Sequence, residues 1–310
     1  MKTGAKDSIS RPWGPESISL RLPLCQASIG GLSSGQRQTI SQHFQSYVLG
    51  PDEAAGEREL ICQAGRLDQP VGLPLAHFGA SGQYAPLKRR TSDGIEITGF
   101  DFKAHLAGGG AAPLEATLSV AREEEIGRST VLENFLRIVF AYHVLHRGGV
   151  LLHSAGVAHQ GTAYLFSGRS NAGKTTLSRK AAAAGAFVLS DDINLVFREG
   201  DGFLVHQVPF TGEFRRRGES PSGPGTFRLG RLALLEKAPV LTATPLHAAL
   251  GVAGLLTGCP YVNDDPEELP ALLDVLTTLA DHTPVIRLGV ARDDPFEAIM
   301  ATLLRCSEND

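Results

Sequence analysis

Cysteine is scarce in this 310-residue chain, and the four present (Cys25, Cys62, Cys259 and Cys306) stand far apart with no C-x-x-C pair. That spacing argues against a zinc site and a disulfide scaffold, and fits reduced thiols in a cytoplasmic protein. Charge of one sign is also lacking. The formal net charge is −4, which gives no reason to expect nucleic acid or an anionic membrane as partner. The N-terminal stretch lacks the apolar core of a signal peptide. No long apolar run is clean enough to span a membrane. The most apolar one, Ala238–Val262, is cut by Pro239, Pro245, His247 and Pro260, and reads as strand, turn and buried helix. The guanine-reading pattern N-K-x-D occurs nowhere, which argues against a GTPase. No internal repeat is present.

What is there suits a soluble globular protein of one large or two ordinary domains, with 42% hydrophobic and 20% charged residues. Residues 1–17 are polar and rich in Gly, Ser and Pro, and are expected to form a flexible leader. From 18 to 125, short apolar runs (Ser19–Leu24, Glu59–Cys62, Gly94–Ile97, Ala116–Val120) are cut by Gly and Pro. These predict a small β-rich or α+β region, with a loop at Gly108–Pro113.

Residues 126–310 predict an α/β domain. Thr130-Val-Leu-Glu133 reads as a capping box, and Leu132, Phe135, Leu136, Val139 and Phe140 continue with helical spacing until Gly148-Gly149. Strands are expected at Val150–Leu152 and Ala163–Ser167 around a turn at His159–Gly161, with His153 closing the first strand. Asp265-Pro266 and Asp294-Pro295, each followed by Glu at N3, predict helix starts for Pro266–Asp281 and Pro295–Cys306. A short strand, Val285–Leu288, lies between them.

The chemistry concentrates at Gly168-Arg169-Ser170-Asn171-Ala172-Gly173-Lys174-Thr175, which fits G-x-x-x-x-G-K-[ST] and continues into Thr176. An apolar strand precedes it and a helix-forming run, Leu177–Ala184, follows, as a P-loop requires. The glycines turn backbone amides inward around phosphates, aided by the helix N-terminus. Lys174 would neutralise the β- and γ-phosphates, and Thr175 would offer its hydroxyl to Mg²⁺. The implied ligands are ATP and Mg²⁺. The helix is expected to stop at Gly185, and the strand Ala186–Leu189 then leads to Ser190-Asp191-Asp192. A crossover of this kind brings both strand ends, and hence the two aspartates, to one edge beside the loop. Downstream, Arg215-Arg216-Arg217 enters a Gly/Pro-rich run to Gly225, suited to a closing substrate loop.

The run LLHSAGVAHQGTAYLFSGRSNAGKTTL, followed by LSDDINLV, resembles the core of the HPr kinase/phosphorylase family and the related phosphoenolpyruvate carboxykinase P-loop fold. Weaker likeness continues through Pro209–Glu213 and Leu232–Leu235. The resemblance implies a mixed-sheet kinase domain that transfers the γ-phosphoryl group of Mg·ATP to a hydroxyl. One of Asp191 and Asp192 would be the general base and the other would hold the metal, with Asp191 the first choice for the base and Asp192 for the metal. His153 would lie near metal or substrate. The Arg-Gly-Leu-Gly type signature that accompanies the HPr kinases downstream is not evident. The acceptor then reads as free serine, a peptide or a protein. A non-catalytic ATP-binding module of a gene cassette is the other reading.

Overall fold

Alternation of buried and exposed residues marks the first strands. Ile18, Leu20 and Leu22 are buried while their neighbours are not, the period of a strand with one face on a core. The computed structural model describes residues 11–71, 86–109, 112–127, 129–210, 212–216 and 225–306, the side chains of 55, 127, 129, 130, 215 and 216 excepted. By its contacts the chain divides into two units, Met1–His143 and Val144–Asp310. Both are mixed α/β structures, each with its own mixed sheet.

The first unit runs β1 (Glu16–Leu22), β2 (Cys25–Leu32), α1 (Ser34–His43), β3 (Leu60–Arg66), β4 (Leu87–Thr91), β5 (Gly94–Gly99), β6 (Phe102–Gly108), β7 (Leu114–Val120), α2 (Glu123–Gly127) and α3 (Ser129–Leu145). Its strands form one sheet in the order β1-β2-β3-β7-β6-β5-β4. β2, β3 and β7 are parallel neighbours and the remaining pairs are antiparallel. Residues 11–17 do not form a leader. Trp13 donates Nε1–H to the Gly65 carbonyl, Arg66 stacks on its ring, and β1 already begins at Glu16. The helical spacing of α3 holds, since Leu132, Phe135, Leu136, Val139 and Phe140 are all buried. The capping box at Thr130 lies outside the described side chains. Glu133 receives His43 at 2.6 Å and Arg137 at 3.4 Å. The division between units falls inside α3, later than the boundary expected at 125/126.

The second unit runs β8 (Gly149–His159), β9 (Thr162–Ser167), α4 (Lys174–Ala183), β10 (Phe187–Ser190), β11 (Ile193–Glu199), β12 (Gly202–Gln207), α5 (Glu213–Arg216), β13 (Thr226–Lys237), β14 (Thr242–Pro245), α6 (Ala248–Leu256), α7 (Leu269–His282), β15 (Val285–Val290) and α8 (Phe296–Arg305). β8 pairs with β9, β9 with β13, β13 with β12, β12 with β11, and β11 again with β8, so the ladder closes on itself. β15 and β14 extend it beyond β13. β10 and β11 both run antiparallel to β8 and meet its second and first halves in turn. They are one strand line interrupted at Asp191-Asp192. The core includes Phe166, Leu177, Val188, Leu235, Leu288 and Ile299.

Several sequence expectations shift here. His153 lies inside β8 rather than at its end, because β8 continues to His159. Asp265 does not cap α7, which starts after Glu268; its carboxylate accepts from the Glu267 amide in the preceding turn. Likewise Asp294 accepts from the Ala291 amide behind it, and Pro295 takes the N-cap position of α8. Each Asp satisfied a nearer turn amide before a helix could claim it. α6 is not a buried helix, for only Gly251 and Leu255 are buried and Leu250 is 57% exposed. It packs through Leu255 and through close approach at its glycines. A Cβ at Gly251 would lie 2.9 Å from Val285 Cβ, and one at Gly254 2.1 Å from a Leu234 methyl. No described helix is long and apolar enough to cross a membrane.

Candidate functional site

β9 ends at Ser167 and the chain turns through Gly168–Gly173 into α4. Two residues of that turn take left-handed backbone, Asn171 at φ 64° and Gly173 at φ 111°. The second is the N-cap of α4 and is a conformation that suits glycine. Gly168 is required by space, since a Cβ there would sit 2.6 Å from the Leu235 carbonyl oxygen on β13. The Ala172 amide donates to the Arg169 carbonyl, closing the turn. α4 then stops as expected, with Gly185 at φ 79° just beyond its C-cap.

Lys174 is buried and donates Nζ–H to the carbonyls of Gly168 at 2.7 Å and Arg169 at 3.1 Å. Burial pushes its pKa down from the ordinary 10.5, and the nearby Asp192 and Asp191 carboxylates oppose that shift. Thr175, one residue on, donates its hydroxyl to Asp191 Oδ2 at 2.7 Å. The Phe214 amide donates to the same oxygen at 3.1 Å.

The aspartates owe their position to Ser190. Its hydroxyl accepts from the amides of Asp192 at 3.1 Å and Ile193 at 3.2 Å, which holds the break between β10 and β11 open. Asp192 stays tied to β8 through its carbonyl, which accepts from the Ser154 amide. Beneath, the buried Asn194 amide donates to the Ser154 carbonyl and hydroxyl, in space left by Gly156. Gln207 donates to the Leu189 carbonyl and fixes the end of β10.

The outcome is two carboxylates in different settings. Asp191 is 4% exposed, and among the described residues its Oδ1 is a buried oxygen with no hydrogen-bond partner. Asp192 is more open, with 25% of its side chain exposed, and His153 Nε2 lies 3.8 Å from its Oδ1. A buried, unpartnered carboxylate oxygen beside a Thr hydroxyl is a donor set that suits a hard divalent cation. The residues therefore fit Mg²⁺.

These groups share one cleft of about 610 Å³, a size that suits a small-molecule ligand. Ser170, Asn171, Gly173, Lys174, Thr175 and Thr176 line one part; His153, Asp191 and Asp192 line another. Gly168, Arg169 and Ala172 belong to the same turn but are not among the residues lining the cleft. Four lining residues, Lys237, Gly212, Arg179 and Glu213, were given no site role by the sequence. Lys237 ends β13, whose parallel pairing with β9 brings its C-terminal end to the same edge. Gly212 abuts the aspartates, and a Cβ on it would lie 2.0 Å from Asp191 Oδ1. Arg179 on α4 donates to Glu213 at 3.1 Å. The Pro-Phe-Thr-Gly-Glu run hinted at Gly212 and Glu213, the strand pattern at Leu232–Leu235 hinted at Lys237, and nothing pointed to Arg179. In the basic run, the side chains of Arg215 and Arg216, and all of 217–224, lie outside the described residues.

A family model described as the SynChlorMet cassette protein ScmC matches residues 122–263, somewhat less than half of the chain. No curated protein matches. Among solved structures, the HPr(Ser) kinase/phosphatase from Coxiella burnetii is similar at 13% identity over 50% of this chain and 88% of that one. The TM-score is 0.30, too low for anything to rest on it.

Proposed function

We propose that the second unit is a Mg·ATP-dependent phosphotransferase of the HPr kinase-like, P-loop type, acting on a hydroxyl acceptor. The observation that carries this reading is the Thr175–Asp191 hydrogen bond beside an orphaned, buried Asp191 oxygen, at the mouth of a loop whose amides suit phosphate. A bound Mg²⁺ would supply Lewis-acid neutralisation of developing negative charge. Thr175 and Asp191 would hold it. The ammonium of Lys174, kept on the loop by two carbonyls, would counter charge on the β- and γ-phosphates.

The geometry favours the reverse of the first choice for the aspartates. Asp191 is engaged with Thr175 and suits the metal side. Asp192, more open and near His153, suits the acceptor side, where it would take the hydroxyl proton as the acceptor oxygen bonds to phosphorus and ADP leaves. His153 would orient or share that carboxylate's charge. Free serine, a peptide or a protein each remains compatible as acceptor, and Lys237 would suit one bearing a carboxylate.

A second reading has one observation in its favour, the match to a family described as a cassette protein. On that reading the unit is a non-catalytic ATP-binding accessory module. Incubation with γ-labelled ATP and Mg²⁺, offering serine, HPr-like protein and peptides encoded by neighbouring genes, separates the two. Label transfer that disappears in Lys174→Ala and Asp192→Asn supports the kinase. Nucleotide binding with no transfer to any acceptor supports the module.

A further inference from the structure

The first unit holds a second cluster of donor groups, unrelated to the cleft. The Cys25 thiol, a Glu59 carboxylate oxygen and a His143 ring nitrogen all lie within 4.8 Å of one another. They come from the first residue of β2, the residue before β3 and the last turn of α3. Cys25 is 7% exposed and His143 1%, with Glu59 half-buried. The cluster is held from outside. The Gln26 amide donates to Glu59 Oε2 at 3.3 Å, the Glu59 amide donates to the Gln26 carbonyl, and the His143 ring stacks on Phe140 at 6.4 Å between centroids. Fixing first ligands through neighbouring hydrogen bonds and packing is how protein metal sites are kept in shape.

We propose that Cys25, Glu59 and His143 form a zinc site. The donor set selects the metal class. A thiolate disfavours Mg²⁺ and Ca²⁺, while the carboxylate and imidazole beside it disfavour Cu(I). Tetrahedral Zn²⁺ with its usual bond lengths needs ligand atoms about 3.3–3.8 Å apart, so a contraction of about 1.5 Å at most closes the triangle. Three protein ligands leave a fourth position for water. Binding releases the thiol proton and ties three segments that are distant in sequence. The ion would thus act as a staple for the first unit.

The test uses the full-length chain, stripped by chelator and kept reduced, titrated with Co²⁺ and then Zn²⁺. The expected result is a thiolate-to-cobalt charge-transfer band that saturates at one equivalent and is bleached by Zn²⁺. It vanishes in Cys25→Ser and persists in Cys259→Ser and Cys306→Ser. Glu59→Gln, a near-isosteric change at a half-buried position, weakens Co²⁺ binding at least tenfold. No thiolate band in the wild type overturns the proposal. So does a band that survives Cys25→Ser, or wild-type affinity in Glu59→Gln. Cation binding at the P-loop cleft gives no such band, because no cysteine lines that cleft.

Discussion

The two units place their reactive groups by opposite means. In the second, everything from His153 to Asp192 belongs to one continuous strand–loop–helix–strand stretch, and local turn chemistry sets each position. Gly173 takes its left-handed backbone, and Ser190 opens the strand line at the aspartates. In the first unit, Cys25, Glu59 and His143 meet only when β2, β3 and α3 are all in place. A site built locally can be altered without loosening the fold around it. A site built across a sheet is part of what holds the fold together. Substitutions in the cleft should therefore move kinetics more than stability, and those in the cysteine cluster the reverse.

The largest effect is expected at Lys174. Lys174→Ala should lower phosphoryl transfer by about 10²–10³-fold, the scale of one preorganised charge lost from a reacting phosphate. Urea unfolding should shift little, and a large loss of stability with activity retained would break the contrast. The aspartates should separate next. Asp191→Asn should raise the Mg²⁺ concentration needed for half-maximal rate, while Asp192→Asn should lower kcat with the Mg²⁺ requirement unchanged. Rates measured across a Mg²⁺ series distinguish these outcomes.

Gly212→Ala tests the exception, a cleft residue that does carry stability. Its new Cβ would overlap Asp191 Oδ1, so both rate and unfolding free energy should fall, the latter by about 1–3 kcal/mol in urea melts. A smaller effect follows from burial of Lys174, which depresses its pKa below 10.5. Its charge is lost earlier than usual as pH rises, so nucleotide affinity should weaken on the alkaline side before pH 10.5; binding titrations across that range check it.

The smallest effect concerns His206, whose Nδ1 meets the Thr226 hydroxyl and whose pKa burial pushes below 6.5, against an opposing pull from Glu199. The unfolded chain takes up this proton first. The stability this imidazole lends is full above pH 6.5 and lost as pH falls towards its lowered value. Melting temperatures from pH 7 downwards should fall more steeply in the wild type than in His206→Gln.

The same contrast decides what could be read from the sequence. The glycine-bearing turn after β9, the helix after it, the stop at Gly185 and the strand into Ser190 were legible because each depends on residues a few positions apart. The periodicity of α3 was legible for the same reason. β8 was read too short, since its second half is set by pairing with β9 and β10. α6 was read as buried because its composition is apolar, whereas only Gly251 and Leu255 of it are buried. Lys237 came to the cleft through a parallel pairing across the fold, and Cys25 met Glu59 and His143 the same way. Spacing between cysteines carries no trace of such a cluster, which is why the sequence argued against zinc.

The central claim is that Asp191 and Thr175 hold the metal that makes ATP reactive here. Calorimetric titration of ATP into the wild type and Asp191→Asn, each with and without Mg²⁺, tests it most directly. The account predicts that Mg²⁺ tightens ATP binding at least tenfold in the wild type and hardly at all in Asp191→Asn. Equal tightening in both proteins would contradict it.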